Sequence, residues 1–154
     1  MKIMVINGPN LNILDKRTSE IYGGVGLEEI INLTMIKMNK IHQNLEVEWF
    51  QSNCEGEIVS KIQSILLDIN ILGLIINPGA YSHTSLAISD SLEVLKIPKI
   101  EVHLSNIHKR SSIRHKLLTA KNCDIIISGL KKDSYYIALM TILHLQEKNN
   151  VSNN

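Results

Sequence analysis

Two hydrophobic periods alternate along this chain, and that alternation constrains its fold more than any other feature. Short runs rich in isoleucine, valine and leucine recur at residues 2–7, 46–51, 72–77, 99–103 and 124–128, and they read as strands. Between them lie longer stretches of helical period at 27–43, 55–69, 85–95 and 131–147. Leu27, Ile30, Ile31, Thr34, Met38 and Ile41 form one stripe, and Ile58, Ile62, Ile65, Leu66 and Ile69 another. A short polar helix is predicted near 111–118, and an Asn-rich frayed tail from 148 to 154. Strands that alternate with helices predict a parallel sheet covered on both faces. The unbroken apolar run Leu72-Gly73-Leu74-Ile75-Ile76 fits a strand buried on both sides. Five such strands predict a flavodoxin-like α/β fold, doubly wound, in the order 2-1-3-4-5. With no internal repeat and no linker, residues 1–147 are read as a single domain.

Composition removes several classes of function. Sixteen Lys and Arg against fifteen Asp and Glu give a formal charge of +1, so no basic footprint for nucleic acid is present. Aromatic residues make up only 4%, too few for a base-stacking platform. No apolar run is long enough to span a bilayer, and the apolar start at Lys2–Asn7 is too short for a signal segment. Cys54 and Cys123 lie far apart and form no C-x-x-C, which predicts reduced thiols in a cytoplasmic protein. The six histidines show no metal-binding spacing, and there is no Walker loop, dinucleotide fingerprint or G-x-S-x-G elbow. Neither a metal nor a cofactor is expected.

The polar residues collect on particular loops. In an open α/β sheet, ligands bind beyond the carboxyl ends of the strands where the winding reverses, here between strands 1 and 3. The loops there are Asn7-Gly8-Pro9-Asn10-Leu11-Asn12 after strand 1 and Asn77-Pro78-Gly79-Ala80-Tyr81-Ser82-His83 after strand 3. Strand 4 contributes Glu101-Val102-His103-Leu104-Ser105-Asn106. The stretch 15–26 is too long for a plain connection and carries Lys16, Arg17, Glu20 and Tyr22. It reads equally as a lid or as an ordinary surface loop.

These loops hold groups suited to acid–base chemistry. A free tyrosine is only about 0.1% ionised at neutral pH, so its use as a base costs roughly 4 kcal/mol. An adjacent arginine reduces that cost, and Arg17 is near Tyr22 in sequence. Glu101 and His103 alternate on strand 4 and so leave on the same face. Together they read as a general acid with its orienting carboxylate, or as a strand-end ion pair. Asn10, Asn12 and Asn77 offer amides for a polyhydroxylated ligand or a developing oxyanion, or serve as turn residues. Two further readings are a nucleotide- or flavin-binding module and a catalytically dead scaffold.

Taken in order, these motifs resemble the type II 3-dehydroquinate dehydratases. The residues that carry the resemblance are the Asn7–Asn12 motif, Arg17 with Glu20-Ile21-Tyr22-Gly23, and Gln51-Ser52-Asn53 with Glu55-Gly56-Glu57. The stretches 76–85 and 101–108 complete it. The resemblance implies dehydration of 3-dehydroquinate to 3-dehydroshikimate in the shikimate pathway, without a metal or a lysine Schiff base. It implies Tyr22 as the base, Arg17 as the lid cation that favours its phenolate, and His103 as the acid oriented by Glu101. Asn12 is similar to the residue that holds the water stabilising the enolate. Asn77, His83 and Arg114 would bind substrate hydroxyls, and Leu104 and Ser105 the carboxylate. Asp90 would complete the site of a neighbouring subunit in a dodecamer built from trimers. The chain departs from the family pattern at Cys54, where histidine is usual, and at Thr18-Ser19, where Glu-Pro is common. Of the Gly-rich strand 5 region, only Ser128-Gly129-Leu130 is retained.

Overall fold

The computed structural model describes residues 2–17 and 24–152. It contains β1 (Lys2–Asn7), α1 (Leu27–Asn39), β2 (Glu46–Gln51), α2 (Glu55–Ser64), β3 (Ile71–Asn77), α3 (Leu86–Glu93), β4 (Lys99–His103), β5 (Ile125–Ser128) and α4 (Ser134–Ser152). The five strands form one parallel sheet in the order β2-β1-β3-β4-β5, as the sequence predicts. No helix among the described residues is long and apolar enough to cross a membrane.

The period-2 geometry of the strands divides the core in two. Ile3, Val5, Ile75, Ile100 and Val102 point to one face, beneath α1 and α4. Met4, Ile6, Leu74 and Ile76 point to the other, beneath α2 and α3. β1 and β3 therefore bury apolar side chains on both sides, which is why these central strands read as continuous hydrophobic runs. Gly73 sits where a Cβ would lie 2.6 Å from Ile142 Cγ2, so its missing side chain lets α4 lie close against β3. By the same parity Glu101 and His103 point away from the α1/α4 face.

The central strands fall where the sequence puts them, whereas the helix ends differ. α1 stops at Asn39 rather than 43, and Ile41, beyond its end, is 49% exposed. α2 tightens into a 3₁₀ turn at Ile65–Leu67. That turn changes the helical phase, so Leu66 and Ile69 leave the predicted stripe and are exposed. The polar helix predicted near 111–118 is replaced by separate 3₁₀ turns at Ile107–Lys109, Ser112–Arg114 and Ala120–Asn122. This segment has no apolar stripe to hold a helix down, and part of its backbone bonds elsewhere: Leu118 N–H donates to Ser82 O at 2.7 Å. α4 runs on to Ser152, into the Asn-rich stretch, because no glycine or proline stops it.

Candidate active site

β1, β3 and β4 end side by side, and their loops form a single concave surface. Gly8 N–H donates to Asn77 O at 2.8 Å. A Cβ on Gly8 would fall 2.3 Å from Pro78 O, so only glycine allows the first and third loops to meet this closely. Asn10 adopts a left-handed conformation with φ 65, which asparagine tolerates better than most residues. Its N–H donates to Asn53 Oδ1 at 2.9 Å, and Gln51 Nε2 donates to Gly8 O at 3.2 Å. The loop after β2 thus props up the loop after β1.

Below the pocket floor, Asn7 and Asn77 are joined by a tyrosine that sequence reading did not single out. Tyr135, on α4, is fully buried. Its hydroxyl donates to Asn7 Oδ1 at 2.5 Å and accepts from Asn77 Nδ2 at 3.0 Å. Burial pushes the Tyr135 phenol well above the ordinary tyrosine value, against a smaller opposing effect of the Asn77 hydrogen bond. It is therefore a neutral donor throughout the physiological range.

At the end of β4, His103 is 6% exposed and Glu101 is fully buried. His103 Nε2–H donates to Glu101 Oε1 at 2.8 Å. A carboxylate facing Nε2 fixes the tautomer, leaving Nδ1 as the ring nitrogen for the pocket. The second carboxylate oxygen, Oε2, accepts from Thr119 Oγ1 at 2.6 Å. On the β3 loop, His83 Nδ1–H donates to Lys116 O at 3.0 Å, with Nε2 3.3 Å from Ser82 Oγ.

Among the residues named from sequence, Arg17, Asn77, His83, His103, Leu104, Ser105 and Arg114 line one cavity. Glu101 stands behind His103 rather than on the wall. Asn12 lies elsewhere: it is exposed on a turn and faces a neighbouring cleft lined by Asp15, Gly26 and Trp49. Asn10, two residues earlier, is the asparagine of that motif on the cavity wall. Asp90 is exposed on α3, beside Val59, Leu66, Ala87 and Val94 and away from this cavity. Tyr22 falls in residues 18–23, outside the described residues, as do the other predicted lid residues of that stretch. Arg110, which sequence reading passed over, also lines the cavity, with a guanidinium nitrogen donating to Ser105 Oγ at 3.3 Å.

Three arginines and two histidines line the wall, with no Asp or Glu among the described lining residues. Such a surface suits a small anionic ligand. No group of three or more His, Cys, Asp or Glu side chains converges as a metal site among the described residues.

Comparison with known proteins gives this arrangement a family. The sequence profile of dehydroquinase class II matches residues 1–143. The chain belongs to the class II dehydroquinase family. It is 48% identical over 139 residues to the 3-dehydroquinate dehydratase of Thermotoga petrophila, covering 90% of this chain and 92% of that one. With the 3-dehydroquinate dehydratase of Clostridium perfringens strain 13 it shares 48% identity over 149 residues, covering 96% and 100%. The crystal structure of type II dehydroquinase from Butyrivibrio crossotus superposes with a TM-score of 0.86 at 43% identity, covering 92% of this chain and 97% of that one. The class II dehydroquinase match thus includes all five strands and every wall residue described above. It also includes Gly129, whose φ of 92 and N–H bond to His103 O at 3.0 Å secure the end of β4.

Proposed function

We propose that this chain dehydrates 3-dehydroquinate to 3-dehydroshikimate, a hydro-lyase step of the shikimate pathway, by way of an enolate. The observation that carries this reading is the buried His103–Glu101 pair beside a cation-lined cavity, in a chain of the class II dehydroquinase family.

The chemistry requires three groups. A base removes the proton from the carbon beside the ketone, and the electron pair moves onto the ketone oxygen as an enolate. When the enolate collapses, the hydroxyl on the next carbon leaves with a proton from an acid, as water, and a conjugated enone results. In this reading Tyr22 is the base and Arg17 stabilises its phenolate. His103 is the acid in its protonated form, with Nε2–H held by Glu101 and the Nδ1 proton passing to the leaving hydroxyl. Asn10, rather than Asn12, stabilises the enolate oxygen, because Asn10 is the residue on the cavity wall. Leu104 and Ser105 receive the substrate carboxylate, with Arg110 beside Ser105 reinforcing the charge. Asn77, His83 and Arg114 bind the hydroxyls.

Asp90 serves a neighbouring subunit in this reading. Its exposed position in a largely apolar groove between α2 and α3 leaves it open to a second copy of the chain, and the assembly in this reading is a dodecamer built from trimers. The free cysteines Cys54 and Cys123 are in keeping with a cytoplasmic location.

The test is to follow the purified protein with 3-dehydroquinate by ultraviolet absorbance for appearance of the enone. Turnover that survives chelator and borohydride is expected. A folded, assembled protein that leaves the substrate unchanged overturns the reading.

A further inference from the structure

Glu101 and Thr119 are both fully buried, yet they come from segments 18 residues apart. A carboxylate withdrawn from water is tolerated only where donors meet its oxygens. Each oxygen of Glu101 has one such donor: His103 on Oε1 and Thr119 on Oε2. Two donors on opposite oxygens fix the carboxylate plane. With that plane fixed, the imidazole has a single favourable orientation, and its free nitrogen faces the cavity. Thr119 is well suited to the task because its β-branched side chain has few rotamers.

The segment that carries Thr119 is itself held by the cavity's other wall. Leu118 N–H donates to Ser82 O at 2.7 Å, and Ser89 Oγ donates to Leu118 O at 3.0 Å. Asn122 Nδ2 donates to Ser89 O at 2.8 Å. Three residues before Thr119, Lys116 O accepts the His83 bond. The stretch 116–122 therefore spans from the β3 loop and α3 to the carboxylate behind His103.

We propose that Thr119 is a positioning residue for the acid step: its hydroxyl aligns Glu101, and through Glu101 it aligns His103 toward the leaving hydroxyl. The inference rests on the dehydratase reading given above. It places the middle of the 116–122 strap, at Thr119, in the acid machinery and its start, at Lys116, against the substrate-binding histidine.

The test compares Thr119→Val, which keeps the shape and removes the donor, with Thr119→Ser, which keeps the donor. The Val variant is expected to lose about 10- to 100-fold in kcat, the size of loss that follows removal of the outer hydrogen-bond partner of a metal-ligating histidine, with KM changed far less. The Ser variant is expected to recover most of that loss. A second readout needs no substrate. The downfield proton resonance of His103 Nε2–H in the free protein should shift or broaden in Thr119→Val and persist in Thr119→Ser. If Thr119→Val does not fold, Thr119→Ala takes its place with the same expectations. A folded donor-free variant with wild-type kcat and an unchanged resonance overturns the proposal, as does a loss confined to KM. A wild type without turnover sinks the dehydratase reading, and the resonance then still decides whether Thr119 positions His103.

Discussion

Replacing Tyr135 with phenylalanine removes one oxygen atom from beneath the cavity, and the structure allows the consequence to be worked out. The ring stays, so its edge-on packing against Trp49, with centroids 5.4 Å apart, is kept and no large void opens. What is lost is the shared hydroxyl between Asn7 and Asn77. Asn7 Oδ1 is fully buried and left without its donor, which costs about 1–3 kcal/mol. Asn77, 3% exposed, also loses the acceptor of its Nδ2, at the lower end of the same range, about 1 kcal/mol. The remaining anchors are long: Asn7 Nδ2 reaches Phe50 O at 3.4 Å, and Gly79 N–H reaches Asn77 Oδ1 at 3.3 Å. We expect a net loss of about 2–4 kcal/mol, which for a chain of this size lowers Tm by about 4–16 °C. Because Asn77 would contact substrate hydroxyls in the ground state and the transition state alike, KM should rise more than kcat falls. Scanning calorimetry and steady-state kinetics on Tyr135→Phe check both parts. A Tm within about 1 °C of wild type together with an unchanged KM would refute the reasoning.

Two more outcomes follow from the same geometry. Gly8→Ala pushes a methyl group against the Pro78 carbonyl at 2.3 Å, and since both sides are backbone the two loops must part. A loss of about 1–3 kcal/mol in urea unfolding, with kcat/KM at least about tenfold lower, is expected; wild-type values for both would show that the loops are not in close contact. Glu48 is bonded to Lys2 at 2.6 Å and also to Lys61. Those bonds hold its carboxyl below the ordinary value of 4.5, against a smaller opposing effect of burial. Its stabilising contribution is therefore complete above about pH 4.5 and disappears as pH falls through the lowered folded-state value. Glu48→Gln should lower stability at pH 7 by at most about 1 kcal/mol, as befits a partly exposed pair, and the gap to wild type should close in acid. A gap that stays constant from pH 7 to pH 3 contradicts this.

Much of this molecule is visible in its sequence because β1, β3 and β4, whose loops carry the cavity, are buried on both faces. Lys2–Asn7, Glu46–Gln51 and Lys99–His103 begin and end as read, and the loops that follow β1, β3 and β4 carry the cavity. The alternation of Glu101 and His103 was enough to place them as a pair, since two residues apart on a strand means one face. Other features depend on contacts that no local pattern records. Tyr135 lies 128 residues from Asn7, and its helical stripe reads as plain core. Thr119 falls in a polar stretch whose 3₁₀ turns have no periodicity to betray them. Asn10 and Asn12 both sit in a turn motif, and only the left-handed backbone at Asn10 shows which of them reaches the cavity. The helix ends were overrun where a 3₁₀ turn shifted the phase, as at Ile65–Leu67.

The account stands or falls on the division of labour between a base on the segment after β1 and an acid at the end of β4. The most direct measurement is enone formation from 3-dehydroquinate by wild type, Tyr22→Phe and His103→Ala, each shown to be folded and of the same assembly state. The account predicts turnover by the wild type and a loss of about 10²- to 10⁴-fold in kcat for each variant, the usual worth of a positioned acid or base. A His103→Ala variant that turns over like the wild type would contradict it.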